Sequence, residues 1–297
     1  MARCLVLGAN GFIGSHLVDA LIDKGHFVRC FGRYKSGSVN FASSEPPRVE
    51  IFRGDFLNRN DIKKALDGID YVFHFISTTN PFTAENDPLV DIETNIKMSV
   101  ELFRLCSENS VKKIIFASTG GSIYGDVGTD KAISEKTYPR PVSPYAIGKL
   151  TIENYLSYFK RKYDLDYLIL RISNPYGPRQ NTLSGQGVIS IFLEKIRQNQ
   201  PLKIYGDGSM VRDYIYVADA ARMISECFDK KSSSNIYNLS SGIGYSVNDL
   251  VKTIENVAQI NAVIEHIPAP PTFVHKVILD PSLFKNDFGG GATISLE

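Results

Sequence analysis

The sequence predicts an α/β protein built on a doubly wound, parallel sheet. Short β-branched apolar runs alternate with helical periodicity through the first half of the chain, which is typical of a parallel sheet covered on both faces. Right-handed crossovers then put a ligand crevice at the carboxyl ends of the strands. The predicted strands are Arg3–Leu7, Phe27–Phe31, Val49–Phe52, Tyr71–Ile76, Lys113–Ala117 and Tyr167–Arg171, and the predicted helices are Phe12–Lys24, Asn60–Leu66, Leu89–Glu108 and Tyr145–Lys162.

The length of 297 residues favours two lobes, because a single core rarely covers so long a chain. We predict a cofactor-binding lobe over residues 1–171, with a return to its sheet over about 213–239. The remainder of residues 172–297 is predicted to form a smaller C-terminal α/β substrate lobe, since Gly, Pro and Asn become frequent after Arg171.

Composition limits the classes of partner. A formal net charge of +1 gives no electrostatic case for nucleic acid or a membrane surface. The four cysteines lie in apolar runs without CxxC spacing, and the N-terminus lacks the pattern of a signal peptide, so we expect a cytoplasmic protein. The five histidines show no ligand spacing, so no metal is expected.

The first strand runs into a glycine-rich turn, GANGFIG, that predicts a dinucleotide site of the Rossmann type. Gly8 permits the tight turn, Gly11 lets a pyrophosphate approach the backbone, and Gly14 lets the helix pack close to the strand. Asn10, Phe12 and Ile13 belong to the same predicted site. The alternative is a glycine-rich turn without a ligand, which the flanking strand and helix disfavour.

The end of the second strand selects between the two nicotinamide cofactors. Gly32 stands where an NAD enzyme usually has an acid, and Arg33 and Lys35 follow, so NADP(H) is favoured and NAD(H) is the alternative. The alternative is that Arg33 and Lys35 are solvated charges of a surface loop without a role in binding. After the third strand, Asp55 and Phe56 are expected near the adenine, and capping of the next helix is the alternative role of Asp55.

Tyr145 and Lys149 are the predicted catalytic pair. They are four residues apart on a predicted helix, so both side chains leave the same face. An ammonium near a phenol lowers the pKa of the phenol, which makes Tyr145 a usable acid or base. The strand before this helix ends in hydroxyl residues over positions 118–122, which strengthens the prediction.

GANGFIG, STGGSIYG, SPYAIGK, NPYGPRQ and YGDGSMVRDYIYVADAA together resemble the extended short-chain dehydrogenases/reductases that act on nucleotide sugars. The resemblance covers nearly the whole chain and implies that Tyr145 is the acid/base and Lys149 its partner. The position where many members carry the catalytic Ser or Thr holds Gly120, so Ser122, or alternatively Thr119, is expected to bind the reacting oxygen.

The resemblance also implies a nucleotide-diphosphate sugar as partner. It assigns substrate contacts to Asn174, Val188, Tyr205 and Arg212, of which Arg212 matches a diphosphate-binding arginine. Their alternative roles are structural, such as a helix cap for Asn174 or an ion pair of Arg212 with Asp213. Many relatives have another arginine near residues 268–276, where this chain has only His275 and Lys276 as cations.

Three functions follow as hypotheses. Gly32 and Arg33 favour a reductase that transfers a hydride from NADPH to C4 of a dTDP-4-keto-6-deoxyhexose. The alternative is an NAD-dependent UDP-hexose 4-epimerase, and a distant alternative is a non-catalytic NADP-binding sensor. Dehydration is disfavoured, because Gly121 and Ser122 stand where dehydratases of the family usually have an Asp–Glu pair. The resemblance further implies a homodimer through a four-helix bundle formed by Leu89–Glu108 and Tyr145–Lys162.

Overall fold

Seven parallel strands form the central sheet of the protein, whose structure is a computed structural model describing residues 1–34, 37–42, 48–129, 131–182, 185–269 and 274–296. The strands are β1 (Arg3–Leu7), β2 (Phe27–Gly32), β3 (Val49–Arg53), β4 (Tyr71–His74), β5 (Lys113–Thr119), β6 (Asp166–Ile172) and β10 (Ile236–Leu239). Their order is β10-β6-β5-β4-β1-β2-β3, and every adjacent pair is parallel. The predicted doubly wound sheet is confirmed, with its switch point between β1 and β4.

Helices cover both faces of this sheet because its apolar strands are buried on both sides. On one face lie α1 (Phe12–Asp23), α8 (Val217–Cys227) and α10 (Ser282–Phe288). On the other lie α2 (Arg59–Ala65), α5 (Lys97–Glu108) and α6 (Pro144–Tyr163). In the described part of the chain, no helix is long and apolar enough to span a membrane.

The single helix predicted over Leu89–Glu108 is interrupted. A short helix, α3 (Pro81–Asn86), precedes α4 (Pro88–Asp91), and a π-helical turn, Ile92–Ile96, joins α4 to α5. Proline at the first position of α3 and of α4 suits a helix start. The π turn differs from the prediction because Asp91 and Asn95 turn inward and form hydrogen bonds with each other and with the loop after β4.

The second half of the chain builds two small sheets. The first contains β7 (Asn174–Tyr176), β9 (Val211–Tyr216), β11 (Gly244–Ser246) and β13 (Lys276–Val277), and the second pairs β8 (Leu202–Tyr205) with β12 (Ile264–Ile267). Two helices, α7 (Val188–Arg197) and α9 (Val247–Ala258), pack on β8. α8 and β10 return to the large sheet, as does α10, which the sequence did not predict.

A buried ion pair joins α6 to the sheet. Arg171 of β6 binds Glu153 of α6 through two hydrogen bonds, from Nη2 at 2.7 Å and from Nε at 3.1 Å. Both side chains are 3% exposed. Ser118 at the end of β5 donates to Glu153 at 2.5 Å, and Arg171 also donates to the Tyr124 hydroxyl at 3.0 Å. The pair therefore links α6, two strands and the loop after β5.

We expect Glu153→Gln to lower the free energy of unfolding by about 3–5 kcal/mol, because it leaves the Arg171 charge buried without its counter-charge. The matched control is Glu194→Gln, which breaks the exposed pair with Arg197 and should cost less than about 1 kcal/mol. Urea unfolding at constant m-value measures both. Equal losses of unfolding free energy in the two variants would contradict the structural role of the buried ion pair.

Candidate active site

The turn between β1 and α1 can hold a dinucleotide. Gly8 has φ of +87°, and a Cβ at Gly14 would lie 2.1 Å from the Gly8 carbonyl oxygen, so only glycine allows the helix to approach this closely. Gly11 is the N-cap of α1 and no side chain caps the helix. The backbone amides of the first turn, which includes Phe12 and Ile13, are therefore oriented toward a ligand, and an anion fits there.

The loop after β2 closes one side of this turn. Asn10 accepts a hydrogen bond from the Asn40 amide at 2.7 Å and donates to the Ser38 carbonyl at 3.2 Å. Its side chain thus holds the loop rather than standing free for the cofactor. Gly32 provides no carboxylate at the end of β2, and Arg33 next to it is exposed. Lys35, the other predicted cation, lies outside the described residues.

Asp55 and Phe56, which follow β3, are the residues predicted to lie near the adenine. Asn58, not Asp55, caps α2, so the predicted alternative role of Asp55 is wrong. Asp55 instead accepts a hydrogen bond from the Leu57 amide at 3.0 Å. Phe56 is 1% exposed and its ring packs 5.4 Å from that of His74. The structure therefore gives the Phe56 side chain a packing role, and its contact with the cofactor stays a prediction.

Tyr145 and Lys149 lie in the first two turns of α6, which begins at Pro144 after the N-cap Ser143. The Lys149 Nζ donates to the Ala117 carbonyl at 2.9 Å and lies 5.7 Å from the centre of the Tyr145 ring. Ala117 belongs to β5, two residues before Thr119. The helix thus brings the Tyr–Lys pair to the carboxyl end of β5, as the spacing predicted.

Desolvation acts on the two groups in opposite directions. Burial raises the pKa of Tyr145 to about 12, with a further contribution from the Asp91 carboxylate. Burial lowers the pKa of Lys149 to about 8, against the opposing effect of Asp91 and Glu153. The pKa of Tyr145 is therefore raised, not lowered as the sequence predicted, because removing the phenolate from water is costly.

The hydroxyls of Thr119 and Ser122 lie 3.0 Å apart and form one hydrogen-bonded pair. Gly120 between them admits no side chain. A Cβ there would lie 2.2 Å from Cδ1 of Leu279 and 2.9 Å from the Arg171 carbonyl oxygen. The position at which many relatives carry the catalytic hydroxyl is thus closed by packing, and the two predicted hydroxyls flank it.

A cavity of about 550 Å³ opens in the second half of the chain. It brings together all four residues predicted to bind substrate, Asn174, Val188, Tyr205 and Arg212. Asn174 donates to the Asp213 carbonyl at 2.9 Å, and its side-chain oxygen is so close to Gly121 that a Cβ there would lie 3.1 Å away. One residue of the cavity wall, Asn174, therefore also lies close to the loop that carries Ser122.

Arg212 is positioned by backbone carbonyls. Its guanidinium donates to the Val274 oxygen at 2.6 Å and to the Val211 oxygen at 2.8 Å, and burial lowers its pKa. The alternative role of Arg212 was an ion pair with Asp213. Asp213 does not form this pair, because its buried carboxylate accepts hydrogen bonds from the amides of Ser241 and Gly242. An anionic ligand in the cavity would meet a preorganised cation.

The predicted substitutes for a second arginine behave differently. The His275 ring lies 3.5 Å from the Ser209 hydroxyl, at the turn after β8. Lys276 lies in β13, and residues 270–273 lie outside the described part. Two cations that the sequence analysis missed, Lys195 and Lys203, line the cavity. Leu202 and Ile204 of β8 are buried, so Lys203 and Tyr205 share the opposite face of the strand. This alternation in the sequence could have predicted Lys203 as a cavity residue.

Among the described residues, no three His, Cys, Asp or Glu side chains converge to form a metal site. The chemistry at hand is instead a Tyr–Lys pair, two hydroxyls, a dinucleotide turn and a cavity with three cations.

Residues 4–240 match the model of the NAD dependent epimerase/dehydratase family. The chain belongs to this family. It is thus an enzyme of the extended short-chain dehydrogenase/reductase type, as the motifs predicted.

Two solved structures and one curated relative place the chain among members of the family. The UDP-glucose 4-epimerase of Thermotoga maritima, solved with UDP-glucose, is 34% identical with a TM-score of 0.92, over 99% of this chain and 94% of that one. The UDP-glucose 4-epimerase of Thermus thermophilus, in complex with NAD, is 32% identical with a TM-score of 0.87, over 96% and 92%. The dTDP-4-dehydro-6-deoxyglucose reductase of Escherichia coli is 29% identical over 99% of this chain and 93% of the reductase.

We expect Gly120→Ser, which restores the hydroxyl common in the family, to destabilise the protein rather than to increase turnover. Its Cβ would collide with Leu279 and the Arg171 carbonyl. The control is Gly291→Ser, whose Cβ would meet only the flexible end of Lys285, at 2.8 Å. Thermal unfolding should show a loss of several degrees for the first variant alone. An unchanged melting temperature for Gly120→Ser would contradict this prediction, because it would mean that the residues around position 120 accommodate a side chain.

Proposed function

We propose that this protein is an NAD(P)-dependent 4-epimerase of UDP-hexoses. The observation that carries the proposal is the position of Asn174, which lines the cavity together with Arg212 and also lies close to Gly121, in the loop after β5. Lys149 binds the same strand through the Ala117 carbonyl. Similarity to two UDP-glucose 4-epimerases at 34% and 32% identity supports this function over the reductase that the sequence analysis favoured. The reductase relative is 29% identical.

In this proposal, residues 1–171, with the excursion 213–239, bind the cofactor, and the remaining residues after 171 bind the substrate. The first-turn amides of Phe12 and Ile13 hold the pyrophosphate, which Gly11 lets approach the backbone, and Arg212 holds the diphosphate of the sugar nucleotide. Asn174, Val188 and Tyr205 line the nucleotide side of the cavity. The nicotinamide, when bound, supplies reversible hydride transfer at C4 of the hexose.

The residues of the chain move the matching proton. Tyr145 accepts the proton of the C4 hydroxyl and returns it, and Lys149 orients the ribose and favours the phenolate. Ser122, with Thr119 at 3.0 Å from it, holds the reacting oxygen through a hydrogen bond. Burial of the crevice strengthens these electrostatic contacts, because the local dielectric is low.

A second candidate is the NADPH-dependent reduction of a dTDP-4-keto-6-deoxyhexose. Gly32 and the exposed Arg33 favour it, since a site without a carboxylate accepts a 2′-phosphate. The relative from Escherichia coli carries that activity in its name and covers 99% of this chain. NADP(H) remains a proposal on the same residues, with NAD(H) as the alternative that the Thermus structure supports.

One experiment separates the two candidates. Protein purified without added cofactor is denatured, and the released nucleotide is identified. Native protein is then given UDP-glucose, and UDP-galactose is measured. Conversion without net consumption of cofactor establishes the epimerase. Stoichiometric oxidation of NADPH by a dTDP-4-keto-6-deoxyhexose, with no conversion of UDP-glucose, establishes the reductase instead.

In either assay we expect Tyr145→Phe to lower kcat by at least about 100-fold, since it removes the proton acceptor and leaves the binding groups intact. Asn154→Ala, an exposed residue of the same helix, is the control and should retain wild-type turnover. Full turnover of Tyr145→Phe would refute the catalytic role of Tyr145, whereas a wild-type protein that binds cofactor but converts neither substrate would favour the cofactor-binding sensor.

We also propose a homodimer through α3–α6. Apolar side chains are exposed on this surface, including Phe82 at 69%, Leu89 at 66%, Ile92 at 50% and Ile147 at 51%. Such a patch is typical of an interface, and helices from two copies would form a four-helix bundle.

Light scattering should therefore give a mass of twice 33.0 kDa. Ile147→Glu should shift the protein to monomer, because it buries a charge in the interface. As a control, Val257→Glu, at a position 69% exposed on α9, should leave the mass unchanged. A monomeric wild type would refute the dimer.

A further inference from the structure

A buried carboxylate lies beneath the helix that carries Tyr145 and Lys149. Asp91, the last residue of α4, is 4% exposed. It accepts hydrogen bonds from the Thr79 hydroxyl and from the Asn95 side-chain amide, the latter at 2.8 Å. Asn95 follows on the π turn and also donates to Thr79 at 2.8 Å. π turns occur often at functional sites, and this one turns Asp91 and Asn95 toward the sheet.

Gly148 shows how close Asp91 comes to the catalytic helix. A Cβ at Gly148 would lie 2.0 Å from Oδ2 of Asp91, so the carboxylate rests directly on the backbone of α6. Gly148 immediately precedes Lys149 and is three residues beyond Tyr145. Only glycine permits this approach, and the contact brings a carboxylate close to the turn of α6 that carries both catalytic residues, on each of which its charge acts.

The other charges near Lys149 are already balanced. Glu153, one turn further along α6, is neutralised by the two hydrogen bonds of Arg171 from β6. His74 of β4 is uncharged at neutral pH, because burial and the charge of Lys149 lower its pKa to about 3. Within the described ranges, no Lys, Arg or His nitrogen lies within 4.0 Å of the Asp91 carboxylate. No ion pair in this part of the chain therefore offsets the effect of its charge on Tyr145 and Lys149.

We propose that Asp91 is the buried counter-charge of the Tyr145–Lys149 pair, a positioning residue that keeps Lys149 an ammonium in the closed crevice. The proposal rests on the roles of Tyr145 and Lys149 in the proposed function. A competing explanation is that Asp91 only anchors Thr79 and the loop after β4.

The two explanations differ in their pH dependence. A nearby carboxylate favours the ammonium of Lys149 and opposes the phenolate of Tyr145, so it raises the pKa of both groups. Removal of its charge lowers both. Asp91→Asn keeps an oxygen that can accept from Thr79 and Asn95 but carries no charge. A structural anchor, in contrast, would change the rate without moving either pKa.

The first readout is the pH profile of kcat/KM for UDP-hexose conversion by the holoenzyme. For Asp91→Asn we expect both limbs to move to lower pH by about 1 unit, which is a roughly tenfold relative loss on the alkaline side. The control is Thr79→Val, which removes a hydrogen bond and keeps the charge, and its profile should fall in height without moving. Unshifted limbs in Asp91→Asn, or equal shifts in Thr79→Val, would overturn the proposal.

The second readout needs no sugar. The near-ultraviolet absorbance of tyrosinate is measured against pH in the wild type and in Asp91→Asn. The curve of the matching protein that also carries Tyr145→Phe is subtracted from each, which leaves the titration of Tyr145. We expect Tyr145 to ionise at lower pH in Asp91→Asn than in the wild type. If UDP-hexoses are not converted, the proposed function fails, and this titration still decides the role of Asp91. If Asp91→Asn does not fold, Asp91→Ser provides the same comparison, and an unchanged titration would refute the counter-charge.

Discussion

The ion pair between Glu153 and Arg171 fixes α6, which carries the Tyr145–Lys149 pair, to the central sheet. Arg171 lies near the carboxyl end of β6, the second strand from one edge of the large sheet, and Glu153 lies one turn beyond Lys149 on α6. Because two hydrogen bonds join them, α6 has one axial position relative to the strands. The Ser118 hydroxyl donates to the same carboxylate, so the end of β5, which leads to Thr119 and Ser122, is held to the same residue of α6.

The network continues to the far side of the site. The Tyr124 hydroxyl accepts from Arg171 and donates to Asn238 of β10 at 2.8 Å. The Asn238 side-chain amide in turn donates to the Ile133 carbonyl, and its backbone amide donates to Glu135. A buried polar network is favourable only when each member has a partner, and here each does. The loop after β5 is thereby held at both ends, which keeps its hydroxyl pair beside α6.

The crevice shows how burial and charge oppose each other at a catalytic pair. Desolvation makes the phenolate and the ammonium costly, so it moves the pKa of Tyr145 up and that of Lys149 down. One neighbouring carboxylate, Glu153, is already paired, and another, Asp91, is not. The unpaired charge supports Lys149 at the expense of Tyr145. An anionic sugar nucleotide and a cofactor would act on this balance when they bind, since both bring charge into a site of low dielectric.

The sequence by itself determined the parallel sheet, the glycine turn and the Tyr–Lys pair. These features depend on local periodicity and on neighbours within a few residues, as in the i, i+4 spacing of Tyr145 and Lys149. The resemblance to the family added four of the residues that line the cavity, Asn174, Val188, Tyr205 and Arg212.

Only the tertiary structure decided the features that join distant segments. Leu279 closes the position of Gly120, Val274 positions Arg212, and Asp91 rests on Gly148. The π turn and the packing role of Phe56 are of the same kind, because they depend on which buried partners a side chain meets. Hydrophobic periodicity carries no information about such partners, since residues far apart in sequence become neighbours only when the sheet and its helices have formed.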